Sequence, residues 1–382
     1  MITLPTAEGK LSAYELRAPA DWPRPPGPPR SRVAYAAAHV VADPLGDNTP
    51  GAAAAVDWEA TLRFRRHLWS YGFRVADAMD TAQRNMGLDW AATQELIRRT
   101  AAEAAGFGDP AELVACGAGT DHAPHAATRD DVLRAYSEQM ELVQSAGAGV
   151  ILMASRRLAA IARTPEDYHA VYRPLLREAE RPVILHWLGE MFDPSLAGYW
   201  GSDDISVATE SLLTLINDNA ARVDGVKVSL LDADHEAGLR AALPPGVRLY
   251  TGDDFNYTPL IESGSDALLG IFDAIAPVAS AALQALDAGE VARYRTLLEP
   301  TVPLSRKIFE APTYNYKTGI VFLAWLAGHQ DAFAMVAGAQ SSRSIVHLAE
   351  VFRLADQAGL FPDPALAESR MRALLATAGV AA

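Results

Sequence analysis

The run Val223-Asp224-Gly225-Val226-Lys227-Val228-Ser229 sets a single lysine near the end of an apolar stretch. If that stretch is a strand packed inside a fold, the Lys227 ammonium is poorly solvated and its pKa falls. A fraction then becomes the neutral amine, the nucleophile that forms a Schiff base with a carbonyl. The alternative for the same residue is a salt bridge with a nearby carboxylate, which would hold it charged.

Other apolar runs also end in groups that can do chemistry. One contains His39 and leads to Asp43; the next ends in Asp80-Thr81-Ala82-Gln83; others give Thr120-Asp121-His122, His186 with Glu190 and Asp193, Ser229 with Asp232, Gly252-Asp253-Asp254, and Asp273. Histidine and carboxylate from several runs offer two kinds of site. His186 could move protons near neutrality, since its unperturbed pKa is roughly 6.5. His39, Asp80, His122 and His186 together would suit zinc, manganese or a similar divalent ion, although no HxH or HxxxH spacing supports a metal. Two other chemistries are excluded. Gly117-Ala118-Gly119 lacks the rest of a dinucleotide fingerprint, and no GxxxxGK[ST] phosphate loop occurs. Cys116, the only cysteine, lies in an apolar run and reads as buried packing.

For these groups to meet, the runs must lie side by side with their ends on one rim. Short β-branched or small apolar stretches alternate with longer segments of helical periodicity. The strands expected are Val33–Val41, Gly72–Met79, Glu112–Cys116, Gly149–Met153, Pro182–His186, Val223–Val228, Arg248–Tyr250 and Ala267–Phe272. Helices expected between them include Trp58–Tyr71, Asp89–Ala105, Arg129–Ala146, Pro165–Glu180, Ile205–Arg222, His235–Ala242 and Pro259–Ser263. Thr164-Pro165-Glu166-Asp167 is the clearest helix start, a capping hydroxyl followed by proline and acids. Eight strands separated by helices point to an α/β fold, a closed parallel (β/α)8 TIM barrel, with an open doubly wound sheet as the alternative. In such a barrel, strand ends carry the reacting groups. Five helical segments follow the eighth strand: Val278–Asp287, Val291–Arg306, Gly319–Ala327, Ser344–Ala358 and Pro364–Ala378. Pro5, Pro19, Pro23, Pro25, Pro26, Pro28 and Pro29 make the start of the chain an extended arm. The expected organisation is an arm over 1–32, a barrel over 33–288 and a helical region over 289–382.

Composition narrows the partners. The chain has 382 residues, half of them apolar, and a net charge of −14. An acidic protein without a basic face is a poor match for nucleic acid. Gly319–Gly328, the longest apolar run, is far below the roughly 18 residues a membrane span needs. A lone cysteine, with no basic stretch and apolar core at the start, suggests the cytoplasm. A small molecule is the partner expected.

At this point the residues resemble a known family. Gly225-Val226-Lys227, followed by Tyr250-Thr251-Gly252-Asp253-Asp254, is similar to the dihydrodipicolinate synthase and N-acetylneuraminate lyase superfamily of class I aldolases. Further similar segments occur in the same order: Gly117-Ala118-Gly119-Thr120, Gly147-Ala148-Gly149-Val150-Ile151-Leu152, Arg181-Pro182-Val183-Ile184-Leu185-His186, and Lys307-Ile308-Phe309-Glu310-Ala311-Pro312-Thr313. The resemblance covers roughly residues 33 to 370. It implies a (β/α)8 barrel with a helical C-terminal region, a dimeric or tetrameric assembly, and no cofactor beyond the imine on the lysine that Lys227 matches.

Two departures shape the expected substrate. His186 stands where the family places a proton-relaying tyrosine. Met79-Asp80-Thr81-Ala82-Gln83 stands where the family has Gly-Thr-Thr-Gly-Glu, which holds the carboxylate of a 2-keto acid. A carboxylate at Asp80 would repel such a substrate, whereas ionised acids accept well from hydroxyls. The resemblance and these departures imply a catalytic set of Lys227, His186 and Thr81. They imply a binding surface of Asp80, Gln83, His122, Ser229, Asp232, Gly252, Asp253 and Asp254. The activity expected is a lyase or aldolase of carbohydrate metabolism acting on a keto sugar or polyol derivative. A non-catalytic sugar-binding barrel and a metal-dependent sugar lyase or isomerase are the alternatives.

Overall fold

The structure is a computed structural model that describes residues 1–380. A hairpin comes first: β1 (Ile2–Pro5) and β2 (Leu11–Tyr14) pair antiparallel, with Ile2 opposite Tyr14. Eight parallel strands then close into a barrel: β3 (Ala34–Ala37), β4 (Arg74–Asp77), β5 (Val114–Ala118), β6 (Gly149–Leu152), β7 (Val183–Leu188), β8 (Val223–Ser229), β9 (Arg248–Thr251) and β10 (Asp266–Leu269). Closure comes from β10 pairing with β3, Ala267 opposite Ala34. All eight expected strands are present, within a few residues of their expected bounds.

Continuous apolar runs form these strands because both faces are covered, one by the ring of helices and one by the barrel's own filling. Tyr35, Ala37, Ala76, Ala115, Ile151, Met153, Ile184, Tyr250 and Leu268 make a separate interior cluster. Small alanines opposite large tyrosines let the side chains interdigitate. Tyr35 and Tyr250 meet edge to face with centroids 5.8 Å apart. At that level the Tyr250 hydroxyl donates to Asp224 at 2.6 Å, and Arg248 pairs with the same carboxylate.

The rim is held by a buried ion pair. Arg65, on the first long helix (Trp58–Ser70), reaches both carboxylate oxygens of Asp77 at 3.1 and 2.8 Å. Its remaining amino group donates to the carbonyls of His39 and Thr61. Thr100 and the Ala78 amide complete the shell of Asp77. Fully buried charges persist only with such complete pairing, and this pairing ties the ends of β3 and β4 together beside Asp80.

Three expectations need correction. The first 32 residues are not all extended arm: prolines cluster from Pro19 to Pro29, and Ile2–Tyr14 has only Pro5, at a strand end, so a hairpin forms. The arm packs on its own chain, with Tyr14 donating to Asp356 and Trp22 to the Gly359 carbonyl. The segment Val291–Arg306 is two helices, Val291–Leu298 and Thr301–Ile308, broken around Pro300. Ala267–Phe272 is strand only to Leu269, after which a helix runs Ile271–Asp287 with a break at Ile275, two residues before Pro277. Proline removes the amide the preceding turn needs. Among the described residues, no helix is long and apolar enough to cross a membrane.

Candidate active site

Lys227 points into a narrow chamber at the rim of β8. Met79, Asp80, Thr81, Ser229, Asp254 and Tyr316 are among its walls. The lysine is buried, and burial lowers its pKa, while the charges of Asp80 and Asp254 work in the opposite direction. Loss of hydration is the larger effect, which is the condition for an amine nucleophile. Burial also pushes the Asp254 carboxyl up to about 7, against the hydrogen bond from the Ile271 amide and the pull of Lys227.

Gly252 makes room for this lysine. A Cβ there would lie 2.9 Å from Lys227 Cε and 2.6 Å from the Val228 carbonyl, and would collide with Ser229 Oγ. The backbone cannot yield, since the Gly252 amide donates to the Val228 carbonyl at 2.7 Å. Gly252→Ala is therefore expected to destabilise the protein by about 1–3 kcal/mol and to displace the amine. Thermal melting together with reductive trapping at Lys227 checks this; unchanged trapping would mean the chamber tolerates the methyl group.

From the helical region, Tyr316 completes the chamber and Lys317 packs against its ring. Tyr316 donates to or accepts from Thr81 Oγ1 at 2.8 Å. Its ring stacks on Phe309 with centroids 4.3 Å apart and meets Phe192 edge-on. Lys317 Nζ lies 4.4 Å from the centre of the same ring and donates to the Tyr314 carbonyl at 3.0 Å. Burial pushes Lys317 down to about 8, with Asp80 opposing and Lys227 assisting. The Asp80 carboxylate thus acts on both lysines, opposing in each the effect of burial.

In the sequence, Tyr314, Tyr316 and Lys317 form a cluster in the helical region that could either approach the barrel mouth or pack between domains. A signal for Lys317 was available: the helix Tyr316–Leu326 is buried at every position, and a lysine in a helix apolar all round must have a polar destination.

His186 is opposite Lys227 in the β7–β8 register. It is fully buried, and neither ring nitrogen has a partner. Burial, helped by Lys227, drives its pKa far below the ordinary value, so the imidazole is neutral. It lines a second, wider cavity of about 530 Å3, whose walls include Asp80, Leu188, Thr120, Ser155, Arg156 and Arg157. Asp80 and Leu188 border both spaces, so the chamber and the cavity adjoin.

Of the expected site residues, Lys227, Thr81, Asp80, Ser229 and Asp254 share the chamber, His186 lies on the adjoining cavity, and Gly252 abuts Lys227. Four are not brought to either space. Gln83 is buried behind the rim and donates to the carbonyls of Met86 and Val336. His122 stacks on Trp90 and bonds Glu138 and Gln139. Asp232 caps the helix Ala233–Ala242. Asp253 spends its oxygens on the turn amides of Phe255 and Asn256 and on the Asn256 side chain.

The metal set does not assemble either. His39 is committed to Asp273 at 2.8 Å and Gln330 at 3.2 Å, and among the described residues no three His, Cys, Asp or Glu side chains are grouped to hold an ion.

A barrel of this architecture has known counterparts. The fold is that of dihydrodipicolinate synthases. The enzyme from Thermotoga maritima aligns with a TM-score of 0.64 at 16% identity, over 87% of this chain and 100% of its own. That from Bacteroides thetaiotaomicron gives 0.64 at 15%, over 85% and 99%. The chloride-inhibited enzyme from Acinetobacter baumannii, complexed with pyruvate, gives 0.64 at 16%, over 87% and 100%. At this identity the likeness is one of architecture. By sequence it belongs to the family described as protein of unknown function (DUF993), whose model matches residues 2–380. No curated protein matches it.

Proposed function

We propose that this protein is a Schiff-base-forming lyase or aldolase that acts on a small carbonyl compound, a keto sugar or polyol derivative in preference to pyruvate. The observation that carries this reading is Lys227: a buried lysine with a lowered pKa, at the end of a barrel strand, in a chamber lined by hydroxyl and carboxyl groups. The neutral amine adds to the carbonyl carbon and water leaves, forming a protonated imine. That iminium takes up the electron pair released when the next carbon–carbon bond breaks, while the hydroxyl on the departing carbon loses its proton. The resulting enamine is protonated at carbon, and water then returns the amine.

His186 and the Tyr316–Thr81 pair are the groups suited to carry these protons, the first from the cavity side and the second within the chamber. Asp80 and Asp254 accept from substrate hydroxyls. The reaction needs no metal or organic cofactor.

The test is borohydride reduction in the presence of candidate keto sugars and pyruvate, followed by mass analysis. Trapped mass on Lys227 supports the imine; its absence with every carbonyl compound leaves Lys227 as a charge partner of Asp80 and Asp254. Substrate class has its own test. Asp80→Thr removes the carboxylate beside the reacting carbon, and is expected to improve pyruvate binding and impair that of polyhydroxylated carbonyl compounds. Each change is expected to be about tenfold or more, the scale of one charge-assisted hydrogen bond. If the parent already binds pyruvate tightly, or both affinities stay unchanged, the polyol preference is wrong.

A further inference from the structure

Resting on the imine reading, we infer that the substrate carries an anionic group, a carboxylate or a phosphate monoester, at the end away from its carbonyl, and that Arg157 binds it. The argument is a charge count around the wide cavity. Asp121 on its wall is neutralised by Arg84 at 2.7 Å, and Asp193 is neutralised by Arg156. Asp80 lies at the junction with the chamber that holds Lys227. His186 is neutral. That leaves Arg157, which makes no ion pair among the described residues.

Arg157 is also fixed in place. Its Nε and Nη2 both donate to the Ala126 carbonyl, at 2.8 and 2.6 Å, which sets the plane of the guanidinium. Among the described residues Nη1 has no partner, so a donor edge is left open. A planar fork of this kind suits carboxylate and phosphate oxygens. The same wall offers two hydroxyls, Thr120 and Ser155, which bond each other at 2.6 Å. Arg156 and Arg157 border the cavity and not the Lys227 chamber, so the anion lies apart from the reacting carbon. This also reconciles the two ends: a carboxylate next to the carbonyl would meet Asp80, whereas one at the far end meets Arg157. A cavity of about 530 Å3 has room for such a chain.

The experiment compares three probes on the full chain: xylulose, xylulose 5-phosphate and 5-ketogluconate, whose carbonyl is remote from its carboxylate. Borohydride-trapped adduct on Lys227 and the ligand-induced rise in melting temperature are both measured. At least one anionic probe is expected to give about tenfold more adduct than xylulose at equal subsaturating concentration, the scale of a charge-assisted hydrogen bond. In Arg157→Gln that ratio falls towards one, and Arg157→Lys, which keeps the charge, retains part of it. Preference for the phosphate or for the ketogluconate identifies the anion. A ratio near one in the parent, or a ratio that survives Arg157→Gln, overturns the inference. If no probe is trapped but the anionic ones still raise the melting temperature in an Arg157-dependent way, the imine reading falls and the anion site stands. If they do neither, the anion site falls.

Discussion

Lys227→Ala is expected to abolish turnover, by ~10⁴-fold or more, the scale seen when a covalent nucleophile is removed. The reason is chemical. The second buried lysine, Lys317, is committed to the Tyr314 carbonyl and the face of Tyr316, and does not line the chamber. Loss of the ammonium is not expected to unfold the protein, because burying it costs free energy that the alanine no longer spends. The void left by the side chain works the other way. Lys227→Met separates the two, keeping most of the stem while removing the amine. It should melt no lower than the parent and be equally inactive. Activity within a few fold of the parent in either variant would exclude the imine mechanism.

His186→Phe is expected to lower kcat by ~10²–10⁴-fold, the usual contribution of a proton-transfer group, with KM nearly unchanged. Phenylalanine fills the site and removes two nitrogens that now have no protein partner. Because burial and Lys227 drive the imidazole pKa far below its ordinary value, it should impose no loss of rate as pH falls through the ordinary histidine range. A rate inflection near pH 7 would instead belong to Asp254, whose carboxyl holds its proton up to about that pH. It should survive in His186→Phe and vanish in Asp254→Asn. Tyr316→Phe serves as the comparison, since it breaks the contact to Thr81 inside the chamber. If Tyr316→Phe loses the rate and His186→Phe loses only affinity, proton transfer belongs to the tyrosine and His186 is a binding residue.

The strands and their closure were legible from sequence because each barrel strand is covered on both faces. Runs such as Val183–Leu188 and Val223–Ser229 are buried along almost their whole length, and short β-branched apolar runs alternating with helical segments fit strands of a covered parallel sheet. Lys227 stood out for the same reason, as a charge in a run with no solvent face. The start at Thr164 was legible because a capping box is local: Asp167 bonds the Thr164 amide and hydroxyl three residues away.

Loop residues were another matter. Asp80, Asp232, Asp253 and Asp254 look alike in sequence, yet Asp232 and Asp253 are consumed by a helix cap and a turn, while Asp80 and Asp254 face the lysine. Past the end of a strand, alternation no longer dictates direction, and local amides compete for each carboxylate. Tyr316 and Lys317 could be assigned only in three dimensions. The contact of Tyr316 with Thr81 spans 235 positions and exists because the helical region folds back over the barrel mouth. Arg157 belongs to the same class, since nothing in Ser155-Arg156-Arg157 foretells that Asp193 neutralises one arginine and leaves its neighbour without an ion pair. The sequence by itself determined the barrel and the lysine buried in it, because burial on both faces and a lone charge in an apolar run are written into composition. Which charges remain uncompensated around that lysine was decided by tertiary packing, because it depends on pairings between segments distant in the chain.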